Sequence, residues 1–362
     1  MKIISGQKAN DSGEEILNGE KMKNQIKYAV VFAGQGAQKP GMGKSLYEIS
    51  PAARAVFDRA GEEIKYDCFE ADAERLRQTE VTQPAVYTMD MAAFAALMES
   101  LWVDEGKFPE PSAVAGFSLG EYAAFTASGA IDSLAKGLDL VKIRSLLMKE
   151  AGTNPDGSRR GAMAAGMGEK DAVLALVDKA RGENILEAVN FNSPQQTVVA
   201  GEVVAVERFA GLAADRSFGV KAIPLSVSGA FHSPLMRQAA EGLSEALKEF
   251  SFGEPKYTVY LNSTGGTYEE YRTEEKAKEA AADANSVIKS IMVRQIQNPV
   301  EWLKTTQAMK EAGIETVIEV GPGKTLTGLV KKTAPDITAL HVEDKESLEE
   351  TVSRLKSLTV DK

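Results

Sequence analysis

Three short apolar runs in this chain each stop in a glycine-bearing turn. Lys27–Phe32 runs into Gly34-Gln35-Gly36, Ser112–Gly116 into Phe117-Ser118-Leu119-Gly120, and Thr316–Val320 into Gly321-Pro322-Gly323. Runs of this kind read as buried strands. Helical periods lie between them, over Pro84–Leu101, Glu121–Ser128 and Ser133–Glu150, the last carrying Leu140, Ile143, Leu146 and Leu147 on one face. Strands alternating with helices predict an α/β fold, a parallel sheet with helices on both faces.

The pattern changes in the middle. Gly161–Met167 reads as a strand, Lys170–Ala180 as a helix, and Leu186–Phe191 and Thr197–Ala200 as two strands joined through Asn192-Ser193-Pro194. Val203–Ala214 reads as a helix and Val220–Val227 as a closing strand. The order βαββαβ is that of a ferredoxin-like unit, entered through the turn-forming segment Asn154-Pro155-Asp156-Gly157. The expected organisation is a large α/β domain over 27–152 and 229–362, with an inserted subdomain over 153–228. In the second part of the large domain, Pro234–Phe250 reads as a helix, Tyr257–Leu261 as a strand, and Asn298–Ala312 as a helix opened by Asn298-Pro299. A short strand over Ile337–His341 and an amphipathic helix from Lys345 close the chain. Residues 1–26 read as a flexible leader or a misassigned start, with Met22 just upstream of the first strand.

Composition removes several function classes. The 362 residues carry 42 Lys and Arg against 52 Asp and Glu, a net charge of −10, which argues against nucleic-acid binding. One cysteine, Cys68, and two histidines exclude a disulfide framework and a Cys/His zinc site. None of the glycine turns matches a phosphate-binding loop or a dinucleotide fingerprint, so no cofactor and no metal is expected. No apolar run approaches the roughly 20 residues of a membrane span, and Met1–Gln25 has no apolar core of a secretory signal. A cytoplasmic, monomeric protein without membrane contact is the expectation.

Gly116-Phe117-Ser118-Leu119-Gly120 matches G-x-S-x-G between a strand and a helix, the context in which a strained turn lifts a serine hydroxyl off a sheet edge. Composition alone yields about 0.2 chance matches in a chain of this kind, and a plain strand-to-helix turn that happens to contain serine remains the alternative. A nucleophilic serine needs a base. His341 ends a short strand and reads as an edge histidine. His232, in Ser228-Gly229-Ala230-Phe231-His232-Ser233-Pro234, sits in a loop at a strand end and is favoured by elimination over a capping or surface role. Arg144 lies in a largely apolar helical stretch. Periodicity favours a snorkelling side chain with an exposed head; an internal cation awaiting an anion is the other reading.

Several separate segments then converge on one family. Phe32–Gln38, Thr82–Ala85, Gly116–Glu121, Arg144, Asn190–Pro194, Gly229–Met236, Gln295–Trp302 and Glu319–Gly323 occur in family order across about residues 27–340. In them the chain resembles the malonyl-CoA:acyl-carrier-protein transacylases and the acyltransferases of polyketide synthases. The resemblance implies an α/β-hydrolase-like large domain with a mostly parallel sheet, and ping-pong transfer of malonyl from malonyl-CoA to acyl carrier protein in fatty-acid or polyketide synthesis. It implies Ser118 as nucleophile, His232 as base, and the Gln295 carbonyl as the group that orients His232. The backbone N–H groups of Gln35 and Leu119 would form the oxyanion hole. Arg144 would hold the malonyl carboxylate, while Phe231 and Leu119 resemble the malonyl-selecting pattern.

One departure stands out. The family usually has His before the nucleophile, and Phe117 replaces it here, removing any polar support from that side chain. A serine hydrolase clearing acylated carrier protein, or a docking domain with weakened chemistry, is the competing expectation.

Overall fold

The computed structural model describes residues 26–102, 108–278 and 283–360, so the leader expected over 1–26 lies, apart from Ile26, outside the described residues. Nine strands run along the described chain: β1 (Tyr28–Phe32), β2 (Ala113–Gly116), β3 (Ala162–Met167), β4 (Leu186–Ser193), β5 (Gln196–Gly201), β6 (Lys221–Pro224), β7 (Thr258–Tyr260), β8 (Thr316–Val320) and β9 (Thr338–Val342). Five form a wholly parallel sheet in the order β7-β2-β1-β8-β9.

Both faces of that sheet are buried, and the period of two shows how. Tyr28, Val30 and Phe32 of β1 enter one core with Val114 and Ile318, while Ala29 and Val31 enter another with Ala115 and Val317. The first core is built around the helix Thr79–Trp102, which is buried on nearly all sides. It starts ahead of the expected Pro84 and carries that proline inside. Pro84 falls in its second turn, so the missing N–H costs a single intrahelical bond.

The other four strands form an antiparallel sheet in the order β4-β5-β3-β6, the ferredoxin-like arrangement. One face packs under its own helices, Lys170–Arg181 and Val203–Ala213, through Ala164, Val199 and Leu186. The opposite face, with Met163, Ala165 and Val198, joins the core of the large domain. Two sheets therefore meet across a cleft at the C-terminal ends of β1, β2 and β8.

Three further expectations need correction. The helix expected from Asn298 starts at Trp302, because Val300 instead pairs with the edge of β4: its N–H donates to the Val189 oxygen at 2.8 Å and its carbonyl accepts from Phe191 at 2.9 Å. The segment before it is helical (Ala284–Gln297, capped by Asp283), and helices also form at Lys44–Ile49, Pro51–Ala60, Glu62–Phe69 and Tyr268–Lys278, where none was expected. On Leu134–Ala151 the buried face carries Leu140, Val141, Arg144 and Met148, and Leu146 is half exposed.

Candidate active site

The turn after β2 is shaped by what cannot fit there. A Cβ on Gly116 would lie 1.9 Å from the backbone of Gly120, and one on Gly120 would lie 2.3 Å from the Phe32 oxygen. Helix Gly120–Ala127 thus starts in backbone contact with the end of β1. Gly116→Ala is expected to cost ~3 kcal/mol or more through overpacking, lowering the melting midpoint by roughly 4 °C or more; thermal unfolding followed by circular dichroism checks it. Ser118 takes the left-handed conformation with φ 51°, as does His232 with φ 62°. Such a geometry costs a non-glycine residue of order 1 kcal/mol and persists only when the surroundings over-determine it.

Those surroundings are visible. The Ser118 N–H donates to Asn262 Oδ1 at 2.7 Å, and the Ser118 carbonyl accepts from Gln295 Nε2 at 2.7 Å. Asn262 follows β7, and its Nδ2 donates to the Gly116 carbonyl at 2.6 Å. The Phe117 side chain makes no polar contact among the described residues. It lies edge-on to Trp302 with ring centroids 5.6 Å apart and belongs to the second core. Polar support for the turn comes from Asn262 and Gln295 acting on the main chain, and does not need the side chain at position 117.

Ser118 Oγ lies 2.8 Å from His232 Nε2, and His232 Nδ1 lies 2.9 Å from the Gln295 carbonyl oxygen. A carbonyl only accepts, so Nδ1 carries the proton and Nε2 offers its lone pair to the serine hydroxyl. Burial, then the neighbouring Arg144 cation, push the imidazole down to about 4, against hydrogen bonds to the Gln295 and Asn298 main chain. His232 is neutral at physiological pH, the form a proton acceptor requires.

Arg144 is only 1% exposed, which corrects the snorkelling reading. Nη1 donates to Gln83 Oε1 at 2.7 Å. Nη2 donates to Gln295 Oε1 at 3.2 Å and to Ser118 Oγ at 3.0 Å. The guanidinium carbon sits 5.3 Å from the centre of the Tyr122 ring. Every one of these partners is uncharged, and among the described residues Arg144 has no carboxylate in ion-pair contact. A buried cation in that state is costly until an anion reaches it.

These groups open into a cleft of about 490 Å³. Gln35, Phe117, Ser118, Arg144, Phe231 and His232 line one side, and Met163, Ala165, Asn190, Asn192 and Val198 of the antiparallel sheet line the other. Neither the Gln35 nor the Leu119 main-chain N–H donates a hydrogen bond among the described residues. The Gln35 amide side chain is held by Gln83 and Thr79. His341 stands apart from the cleft, 3.9 Å from Glu343.

Sequence reading missed five participants. Gln83 and Asn262 hold Arg144 and Ser118, and Glu121 lies beneath the Asn262 and Gln295 amides. The buried Oδ1 atoms of Asn190 and Asn192 have no partner among the described residues. Asn262 had a usable signal, a polar residue just past the C-terminal end of a parallel strand. Among the described residues no group of His, Cys, Asp and Glu could hold a metal, and no helix is long and apolar enough to cross a membrane.

The family model of the acyl transferase domain matches residues 29–356. The malonyl CoA-acyl carrier protein transacylase of Bacillus subtilis is 37% identical over 336 residues, 91% of this chain and 98% of that protein. The crystal structure of the Clostridium perfringens malonyl CoA-acyl carrier protein transacylase superposes with a TM-score of 0.80 at 34% identity, covering 92% of this chain and 99% of the other. A malonyl-transacylase solved in complex with its type II PKS acyl-carrier protein superposes with a TM-score of 0.78 at 33% identity, over 91% of this chain and 99% of that one. Similarity that runs from β1 into the last helix and takes in the whole cleft leaves one assignment: the chain belongs to the acyl transferase family, among the malonyl CoA-acyl carrier protein transacylases.

Proposed function

We propose that this protein moves a malonyl group from malonyl-CoA to the phosphopantetheine thiol of an acyl carrier protein, through a malonyl ester on Ser118. His232 Nε2 takes the hydroxyl proton as Ser118 Oγ bonds to the thioester carbonyl carbon. The oxyanion turns toward the N–H groups of Gln35 and Leu119. The C–S bond then breaks and the coenzyme A sulfur leaves with the proton from His232. The carrier thiol repeats the steps in reverse: it gives its proton to His232, attacks the ester carbonyl, and Ser118 leaves with the proton restored. A thioester is exchanged for a thioester, so the net driving force is small and the reaction runs both ways. No electrons are transferred, and no cofactor is assigned.

The observation that carries this reading is Arg144, buried without a carboxylate partner among the described residues and 3.0 Å from the Ser118 oxygen. A guanidinium fork pairs bidentately with a carboxylate, so an acyl group attached to Ser118 and bearing a free acid would meet it. The unpartnered Asn190 and Asn192 oxygens suit the amide N–H groups of the pantetheine arm. The hydrolase alternative is disfavoured because the His232 partner is the Gln295 carbonyl and no Asp or Glu. We assign residues 153–228 as the inserted roof of the cleft, and take the protein to act as a monomer in the cytoplasm.

The test is a half-reaction pair. Wild-type protein mixed with malonyl-CoA should gain one malonyl group by intact mass, keep it in buffer, and lose it to added holo acyl carrier protein. Loss of the adduct to water at the same rate with or without carrier would make the protein a hydrolase.

A further inference from the structure

We infer that Glu121 is a positioning residue: its buried carboxylate sets the direction in which the Gln295 amide faces, and through that amide it holds Arg144 and the Ser118 main chain in their working arrangement. The inference rests on the acyl-transfer reading of the site and adds a residue to it. Glu121 is 1% exposed, one position into the helix after the nucleophile turn. Its Oε1 accepts from the Asn262 main-chain N–H at 2.7 Å and from Asn262 Nδ2 at 2.9 Å, and its Oε2 accepts from Gln295 Nε2 at 2.7 Å. All three groups that meet it are donors, two from Asn262 and one from Gln295, which suits an ionised, acceptor-only carboxylate.

A side-chain amide is a one-way link. With its N–H₂ committed to Glu121 and to the Ser118 carbonyl, Gln295 has only Oε1 to offer Arg144. Asn262 is constrained in the same sense: Nδ2 serves Glu121 and Gly116, and Oδ1 takes the Ser118 N–H. Both main-chain groups of the strained nucleophile are thus held by amides whose orientation one carboxylate dictates. Glu121 makes no hydrogen bond to Ser118 Oγ or to His232, so it acts through its neighbours.

Glu121→Gln breaks this logic at one point. The new amide keeps its oxygen toward the two Asn262 donors and must set its N–H₂ against the N–H₂ of Gln295. Gln295 then has to turn over, pointing N–H groups at Arg144 and leaving the Ser118 carbonyl only the longer hydrogen bond from the Glu121 main-chain N–H, at 3.2 Å. Protonation of Glu121 would do the same. Burial pushes this carboxyl up to about 7, against the Asn262 and Gln295 hydrogen bonds and the Arg144 charge. The charged or titratable groups facing it are Arg144 from helix Leu134–Ala151 and Tyr122 on its own helix, while Asn262 and Gln295, from the other elements packed on it, carry no charge.

The experiment is rapid-quench acylation of Ser118 at saturating malonyl-CoA, read by intact mass for wild type, Glu121→Gln and Gln295→Met between pH 6 and 8. At pH 8 Glu121→Gln should acylate at least 10-fold more slowly than wild type, and the gap should narrow toward pH 6 as the wild-type carboxylate takes a proton. Gln295→Met leaves the carbonyl partner of His232 intact and should show a loss of similar size, which decides the matter if Glu121→Gln fails to fold. Wild-type rates in either variant, or a gap constant with pH, would overturn the role given to Glu121. A wild type that takes no malonyl would instead defeat the acyl-transfer reading itself.

Discussion

Ser118→Ala should take up no malonyl group from malonyl-CoA, and His232→Ala should take it up on the order of 10⁴-fold more slowly than wild type. The two effects have different origins. Without the Ser118 oxygen there is no atom on which the ester can form. Without His232, the hydroxyl must lose its proton to water inside a cleft where its other neighbour, Arg144 Nη2, only donates. An alkoxide beside that cation is favoured over one in bulk solution, which is why a residual rate is expected. Groups that act as one unit are non-additive, so the double variant should be indistinguishable from Ser118→Ala. The check is peptide mapping of the acylated protein. A malonyl group on any other residue at a rate near wild type would remove Ser118 from the mechanism.

Arg144→Ala should reverse the preference of the site for its acyl group. A malonyl carboxylate delivered into a buried cleft without the guanidinium is a lone charge. Losing one member of a buried pair costs about 3–5 kcal/mol, or roughly 10²- to 10³-fold or more in malonyl acylation. The acetyl group has no carboxylate to strand, so its acylation should hold or rise once the unpaired cation is gone. Parallel time courses with malonyl-CoA and acetyl-CoA measure both arms. Equal losses for the two substrates would mean that Arg144 only supports the structure.

Legibility followed the range over which the determining contacts act. The strands β1, β2 and β8 were readable because burial on both faces leaves an uninterrupted apolar run, and the ferredoxin-like unit because its six elements keep their order. Ser118 was legible as a local motif and His232 through the scarcity of histidine. Arg144 was misread from periodicity, which sees an Arg on an apolar helix and assigns its head to water. What keeps that head inside are Gln83 and Gln295, 61 and 151 positions away in the chain. The same holds for Asn262, which reaches Ser118 from 144 positions away. The Asn298-Pro299 start signal failed because the main chain after it is claimed by the edge of β4. Tyr268–Lys278 is too polar to show an apolar stripe, so its helix left little trace in the sequence.

The tightest test of the central idea, an unpaired guanidinium selecting an acid-tipped thioester beside Ser118, is competition between equal concentrations of malonyl-CoA and acetyl-CoA for the wild-type protein, quenched before the first turnover is complete. Malonyl should occupy Ser118 in excess over acetyl by at least about 10². Comparable amounts of the two esters would contradict it.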